Sequence, residues 1–489
     1  MATPIGVNRA AVDAHAVALA TGGRVVCSTA GRVAHGVTTD SRAVVPGGAF
    51  VAIRGEHHDG HAFVEAAIEA GAALVVVQRG RAPEDARADV VEVDDTLFAW
   101  GAIARAHLRA WRSANPAARV VAITGSAGKT TTKELCAALL RTVGECHATA
   151  GNLNNRVGVP AVALQLEARH RFAVLEVGMS LPGEIAALAG IVEPDVAVIT
   201  NVGMAHAGGV GGTVEDVARE KGALFAGVRP GGVVVGNADD SAVMAQVGRA
   251  PPSASLTSFG RRDSAARYRL VEREPLGAEG SRLRIDRHGD VVSVVLPIPG
   301  EAAALDFAAA LAAAEAAVEG SVDPARAAGD LEPIPGRMRV CRRHGVTVLD
   351  DAYNANPGSM RAALSTLAEW GPGRRVAVLG EMKELGAAAE REHAALADAV
   401  VSAGVALLVS CGGLADVLAR AASARGVEVV LAQGAEQACR EALERVRHGD
   451  VVLVKASRSV GAERVVDALN DLREDVARDP RGLTRAEGR

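Results

Sequence analysis

Short runs of β-branched and other apolar residues, bounded by Gly, Pro and polar clusters, alternate with helix-periodic stretches along most of the chain, which is the pattern of an α/β protein. In the first stretch, AFVAI (49–53) and ALVVV (73–77) read as strands with the helix HAFVEAAIEAG between them. The polar segment RSANPAAR (112–119) holds a helix-breaking Asn-Pro pair, so a small N-terminal α/β unit is expected over 1–113. RVVAITG (119–125) opens a second unit, followed by a helix from Thr130 and the strands FAVLEVG (172–178) and DVAVITNVG (195–203). Strands that each end in a polar or Gly-rich loop predict a doubly wound sheet with its site at their carboxyl ends. RYRLVERE, SRLRID and VVSVVLPI, within 250–298, predict a small antiparallel insert, and an Ala-rich helix at 301–319 closes a central unit assigned to 114–330. After the connector SVDPARAAGDLEPIPGR, five further strand-like runs (VTVLDD, RRVAVLG, VALLVS, VEVVLA and DVVLVKAS) predict a Rossmann-like C-terminal unit, 331–489, with a polar end after about residue 475.

Length and composition agree with that picture and exclude several others. The 489 residues suffice for about three domains, and 49% hydrophobic with 23% charged residues is globular, not disordered, composition. A formal net charge of -5 gives no overall footprint for nucleic acid or an anionic membrane, and 3 Trp, 2 Tyr and 7 Phe supply no stacking platform for single-stranded nucleic acid. The 6 cysteines are dispersed without a C-x-x-C pair, as expected of reduced thiols in a cytoplasmic protein. The start, MATPIGVNRA, lacks a basic and then apolar leader pattern, and no uninterrupted apolar run reaches the roughly 18 residues of a membrane helix. Only five of the 53 Lys and Arg residues are lysines (Lys129, Lys133, Lys221, Lys383 and Lys455). Such scarcity suggests that lysine persists where a primary amine is required.

TGSAGKTT (124–131) carries the sharpest chemistry, lying between an apolar strand and a helix. Gly125 and Gly128 let the backbone of Ser126, Ala127 and Thr131 turn inward around phosphate oxygens. Lys129 adds charge at the terminal phosphates, and the Thr130 hydroxyl can ligate Mg²⁺. The loop is a short G-x-x-G-K-T variant, because Ile123 stands where the commoner pattern has glycine; an ordinary glycine turn is the alternative. Glu176 and His206 each end a predicted strand, where a carboxylate and an imidazole can hold a second Mg²⁺. In TVEDVAREKGALF, Val214, Val217, Lys221 and Leu224 share one face, which puts Lys221 on the apolar side. A neutral amine there can add CO₂ and become an anionic carbamate ligand; otherwise the side chain snorkels to solvent. Asn154 and Asn155 in GNLNNRVGVP, and Ser41 and Arg42 in TTDSRAVVPGG, can bind polar or anionic groups or simply form turns. LDDAYNANPGSM (349–360) sets Asp350, Asp351, Asn354 and Asn356 at a strand end, and Lys383, Lys455, Ser457 and Arg458 mark two more, suggesting a second binding surface facing the first.

In order along 37–470, TTDSRAVVPGGAFVAIRGEHHDGHAF, TGSAGKTTTKE, GNLNNRVGVP, EVGMSLPGEI, ITNVGMAHAGG and DDAYNANPGSM resemble the Mur ligases of peptidoglycan synthesis, most closely the MurF type. The resemblance implies an ATP-dependent, ADP-forming amide ligase acting on a UDP-N-acetylmuramoyl-tripeptide and D-alanyl-D-alanine, a cytoplasmic monomer with ATP and Mg²⁺ as cofactors. It makes Lys129, Lys221 and His206 the catalytic set, and Thr130, Glu176, His206 and Lys221 (carbamylated) the metal ligands. ATP contacts would come from Gly125, Ser126, Ala127, Gly128, Lys129, Thr130, Thr131, Asp306, Arg337 and Asp350. Substrate contacts would come from Ser41, Arg42, Asn154, Asn155, Asn354 and Asn356. One departure stands out: where the family carries G-x-H-N-x-x-N, with an asparagine on adenine, Ala302, Ala303 and Asp306 replace the histidine and both asparagines. A sibling ligase adding one amino acid and a non-catalytic nucleotide-binding homologue are the alternatives. A P-loop GTPase is excluded by the lack of an N-K-x-D motif. Lys→Arg is expected to be severe at 129 and 221 and nearly silent at 133.

Overall fold

The computed structural model describes residues 3, 5–28, 32–55, 58–84 and 86–471, and the polar end after about residue 475 lies outside them. Three sheets carry the architecture. The N-terminal one has five strands in the order Arg24–Cys27, Asp89–Val93, Leu74–Gln78, Ala49–Val51, Val37–Thr38, parallel apart from the antiparallel pair at Arg24–Cys27. Its predicted helix begins as a 3₁₀ turn, Gly60–Phe63, capped by the Asp59 side chain, and continues as Val64–Glu69.

The central sheet has nine strands. Arg119–Thr124 lies between Phe172–Glu176 and Val196–Ile199, all parallel. These strands are buried on both faces, which is why they read as unbroken apolar runs instead of alternating ones. The segment expected as a small antiparallel insert forms the edge of this sheet. Ser255–Gly260 pairs in parallel with Tyr268–Pro275 at Phe259↔Tyr268 and Gly260↔Arg269, and Ser281–Arg287 and Asp290–Leu296 extend it antiparallel to the edge. The helix Glu301–Val318 is apolar nearly all round and buried; its alanines let it pack closely on the helix Lys129–Arg141.

The C-terminal sheet has six strands, one more than predicted. The addition, Arg339–Arg343 (RVCRR), pairs antiparallel with Val346–Asp350, and its arginines hide it from a search for apolar runs. The first two units share one core. Trp100, in the helix Thr96–Ala114, is fully buried within it, and its indole donates to the Val157 carbonyl at 2.9 Å. Among the described residues no helix is long and apolar enough to cross a membrane.

Candidate active site

The phosphate loop is shaped by close approach. Gly125 has φ +157°, and a Cβ there would meet the Thr200 hydroxyl at 1.8 Å; Gly128, at φ +80°, would bring its Cβ to 2.2 Å from an Asp306 carboxylate oxygen. Only glycine fits either position. The next strand end braces the loop. The Ser126 N–H donates to the Asn201 carbonyl and the Ala127 N–H to Asn201 Oδ1, both at 2.9 Å, while the Thr200 hydroxyl donates to the Ala127 carbonyl at 2.6 Å. Helix Lys129–Arg141 then points its free N–H groups at the loop, which favours an anion. Lys129 Nζ donates to the Gly125 carbonyl at 2.8 Å. Burial lowers the Lys129 pKa, with the Glu176 carboxylate opposing the shift.

Thr130, Glu176, Asn154 and Arg337 form one network. The Thr130 hydroxyl donates to Glu176 Oε2 at 2.9 Å, Asn154 Nδ2 donates to Glu176 Oε1 at 2.7 Å, and Arg337 Nη2 donates to Thr130 Oγ1 at 2.9 Å. Arg337, which belongs to the third unit, lies 4.2 Å over the Tyr353 ring. His206, at φ 62°, pairs through Nδ1 with Glu384, at φ 65°, again joining the central and C-terminal units.

Lys221 lies in the helix Val214–Ala226, capped by Thr213, and the expected face is buried. It is 1% exposed and forms no hydrogen bond or ion pair among the described residues. Burial, then the charge of Lys129, pushes its pKa well below the usual range, which favours the uncharged amine, the form that can add CO₂. Thr130 and Glu176 offer hard oxygen donors that suit Mg²⁺ at the loop. Among the described residues no three His, Cys, Asp or Glu side chains converge on a metal position.

Two cavities of about 370 and 310 Å³ meet at Asn354 and Asn356. The larger runs from the phosphate loop between the helices Glu301–Val318 and Pro357–Ala368; its far end is alkyl, from Ile298, Pro299, Ala302, Ala303, Ala362 and Ala363. Asp306 lines the same cavity, and burial pushes its carboxyl up to about 8. Asn356 caps the helix Pro357–Ala368 through Oδ1 and donates from Nδ2 to the Ser126 carbonyl at 3.0 Å, so one residue starts a C-terminal helix and touches the phosphate loop. Lys455, 2% exposed, donates to Asp351 at 2.5 Å and to the Asn354 carbonyl at 2.9 Å. The smaller cavity has His206, Lys383, Glu384, Ser457 and Arg458 in its wall.

Other predicted residues take different places. Asp350 accepts from the Gly336 N–H at 3.0 Å and pairs with Arg339 at 3.1 Å, and the cavity is lined by its neighbour Asp351. Asn155 Oδ1 accepts from the Val157 and Gly158 N–H groups, so its side chain starts the helix Gly158–Ala163. Ser41 and Arg42 lie in a 3₁₀ turn of the N-terminal unit, where Arg42 pairs with Asp40 at 2.7 Å and its side chain is 88% exposed, outside both cavities.

Comparison with known proteins decides the family. Residues 33–107 match the Mur ligase family catalytic domain, 123–314 the Mur ligase middle domain, and 336–458 the Mur ligase glutamate ligase domain. The chain is 36% identical over 448 residues to the UDP-N-acetylmuramoyl-tripeptide-D-alanyl-D-alanine ligase of Escherichia coli K12, covering 89% of this chain and 93% of that one. The chain belongs to the Mur ligase family. Among solved structures of the family, MurF from Acinetobacter baumannii superposes with a TM-score of 0.86 at 29% identity, covering 95% of this chain and 100% of that one. MurF ligase from Thermotoga maritima, solved in complex with ADP, gives 0.78 at 28% identity, covering 89% and 96%.

Within this Mur ligase the residues missed from sequence are those that brace the loop: Thr200, Asn201, Tyr353 and Glu384. Thr200 and Asn201 carried a readable signal, being polar residues directly after the apolar strand Val196–Ile199. Glu384 carried none, since its partner His206 lies in a distant part of the chain, and Tyr353 carried none because its contact with Arg337 depends on how the segment between them folds back.

Proposed function

We infer that the protein is an ATP-dependent, ADP-forming ligase that joins D-alanyl-D-alanine to UDP-N-acetylmuramoyl-tripeptide, the last cytoplasmic step in making the peptidoglycan precursor pentapeptide, and that it acts as a monomer. The observation that carries this reading is the junction itself: Thr130 and Ser126 of the phosphate loop are met by Arg337 and Asn356 from the third unit, in a chain similar across nearly its whole length to ligases of that name. The proposed units are 1–113 for the uridine-linked substrate, with Ser41 and Arg42, 114–330 for ATP, and 331–489 for closing the site.

In this reading the larger cavity takes ATP, with its phosphates on the amides of residues 125–131 and its base between the alkyl walls. Lys129 and Arg337 face the γ-phosphate, where charge builds in the transition state. The tripeptide carboxylate attacks the γ-phosphorus, giving an acyl phosphate and ADP. The free amine of D-alanyl-D-alanine then attacks the acyl carbon, loses a proton, and the tetrahedral adduct collapses to the amide and inorganic phosphate. Asn154 and Asn155 serve the tripeptide side, and Asn354 and Asn356, shared by both cavities, serve the dipeptide side. Mg²⁺, held by Thr130 and Glu176 and at a second position by Glu176, His206 and carbamylated Lys221, would neutralise phosphate charge. The contacts across the junction exclude water from the acyl phosphate. Phosphate release measured with UDP-N-acetylmuramoyl-tripeptide, D-alanyl-D-alanine and ATP, each omitted in turn, tests the proposal: release must require all three.

A further inference from the structure

Lys133 takes no part in the reaction above, yet it is fully buried in the helix Lys129–Arg141, in a chain with few lysines. Its Nζ donates to the Thr149 carbonyl and to Glu134 Oε1, each at 2.5 Å. Thr149 directly follows the strand Cys146–Ala148, whose pairing with Phe172–Glu176 ends at Ala148↔Val174. Beyond that pair no ladder partner remains for the Thr149 carbonyl, and Thr149 is 1% exposed, so an unpaired oxygen there would be costly. The ammonium supplies the missing donor. Thr149 in turn reaches the active carboxylate: its N–H donates to the Val174 carbonyl at 3.0 Å, and its hydroxyl accepts the Glu176 N–H at 2.9 Å. The chain then runs into the loop that places Asn154 Nδ2 on Glu176 Oε1 at 2.7 Å. Both the backbone of Glu176 and one of its carboxylate oxygens are thus set by a segment that Lys133 pins at its start.

We propose that Lys133 is a positioning residue, an ammonium strut that holds Glu176 in register with Thr130 through Thr149. The proposal rests on the reading that Glu176 serves the reaction. A guanidinium would bring five N–H donors to a fully buried position where two acceptors meet the ammonium, so a substantial loss is expected of Lys133→Arg, against the near-silent exchange expected from sequence. Helix position explains why Lys133 can do this: three residues after Thr130, it projects from the same helix face one turn below it.

Two variants test the relay. Lys133→Met keeps chain length and removes the ammonium; Thr149→Val removes the hydroxyl and keeps the carbonyl. Each is measured for phosphate release with all substrates, for Mn²⁺ affinity in the presence of ADP by electron paramagnetic resonance, and for melting temperature. Lys133→Met is expected to lower kcat and Mn²⁺ affinity about 10–100-fold, the usual effect of losing a partner that orients a ligand. The double variant is expected to stay within about threefold of the worse single one, because both act through one chain of contacts. Folded Lys133→Met with kcat and Mn²⁺ affinity near wild type and only a lower melting temperature overturns the proposal, as do losses that multiply in the double variant. If Lys133→Met does not fold, Thr149→Val decides alone: tenfold losses support the relay and wild-type values overturn it. A wild-type protein that releases no phosphate refutes the ligase reading instead, and the Mn²⁺ titration still decides the role of Lys133.

Discussion

Asp306 stands where Mur ligases commonly carry asparagine, and its environment makes the exchange measurable. The residue is 9% exposed, and its carboxyl closes on Gly128 of the phosphate loop. Burial raises its pKa to about 8, with Thr132 and the Arg337 charge opposing the shift. At neutral pH it is therefore a neutral acid that presents a donor beside an acceptor, as an amide does, but with one donor hydrogen where the amide has two. An unfolded aspartate titrates near 3.9, so between about pH 4 and 8 the folded state holds a proton that the unfolded state has released, and stability falls as pH rises through that window. At about 1.4 kcal/mol per unit the ceiling is roughly 6 kcal/mol; relaxation around the ionised group leaves an expected change of about 2 kcal/mol between pH 5 and 8.5. An amide at this position has nothing to titrate. In melts across that range, Asp306→Asn should match wild type at pH 5 and gain on it steadily as pH rises. The KM for ATP should also rise above pH 8 in wild type alone, because an anionic carboxylate at Gly128 repels phosphate. A stability difference that is flat with pH, or that shrinks toward pH 8.5, refutes the reasoning.

Lys129→Ala should lower phosphate release about 10²–10³-fold with all substrates present, measured against a wild-type melting temperature as the folding control. Lys221→Arg should be comparably severe in kcat, because a guanidinium cannot add CO₂ to form a carbamate; near wild-type turnover removes the carbamate role. Asn356→Ala should cost about 1 kcal/mol of stability through the lost helix cap, and should raise the KM for ATP about fivefold through the lost bond to Ser126. A melting loss without a KM change confines Asn356 to capping.

Local chemistry was legible from the chain alone. Strand, glycine turn and helix are contiguous over 119–141, so the phosphate loop could be read in one pass. Lys221 could be placed on a buried face because helical spacing fixes its neighbours. What escaped was set by contacts remote in sequence. Asn356 meets Ser126 and Arg337 meets Thr130 across more than two hundred residues, and no periodicity encodes such pairs. Choosing between Asp350 and Asp351 needed the strand register, since adjacent residues point to opposite faces. The antiparallel edge of the central sheet looked like an insert because its strands alternate, whereas the parallel strands beside it are apolar throughout. Of the five lysines, Lys133, Lys221 and Lys455 are buried and Lys383 is half exposed, paired with Glu381.

The most direct test of the ligase is phosphate release from ATP with UDP-N-acetylmuramoyl-tripeptide, comparing D-alanyl-D-alanine with single amino acids as the amine. Release that depends on the dipeptide, accompanied by a pentapeptide product of matching mass, is the predicted result. Release that proceeds as well with a single amino acid, or no release although ATP binds, would contradict it.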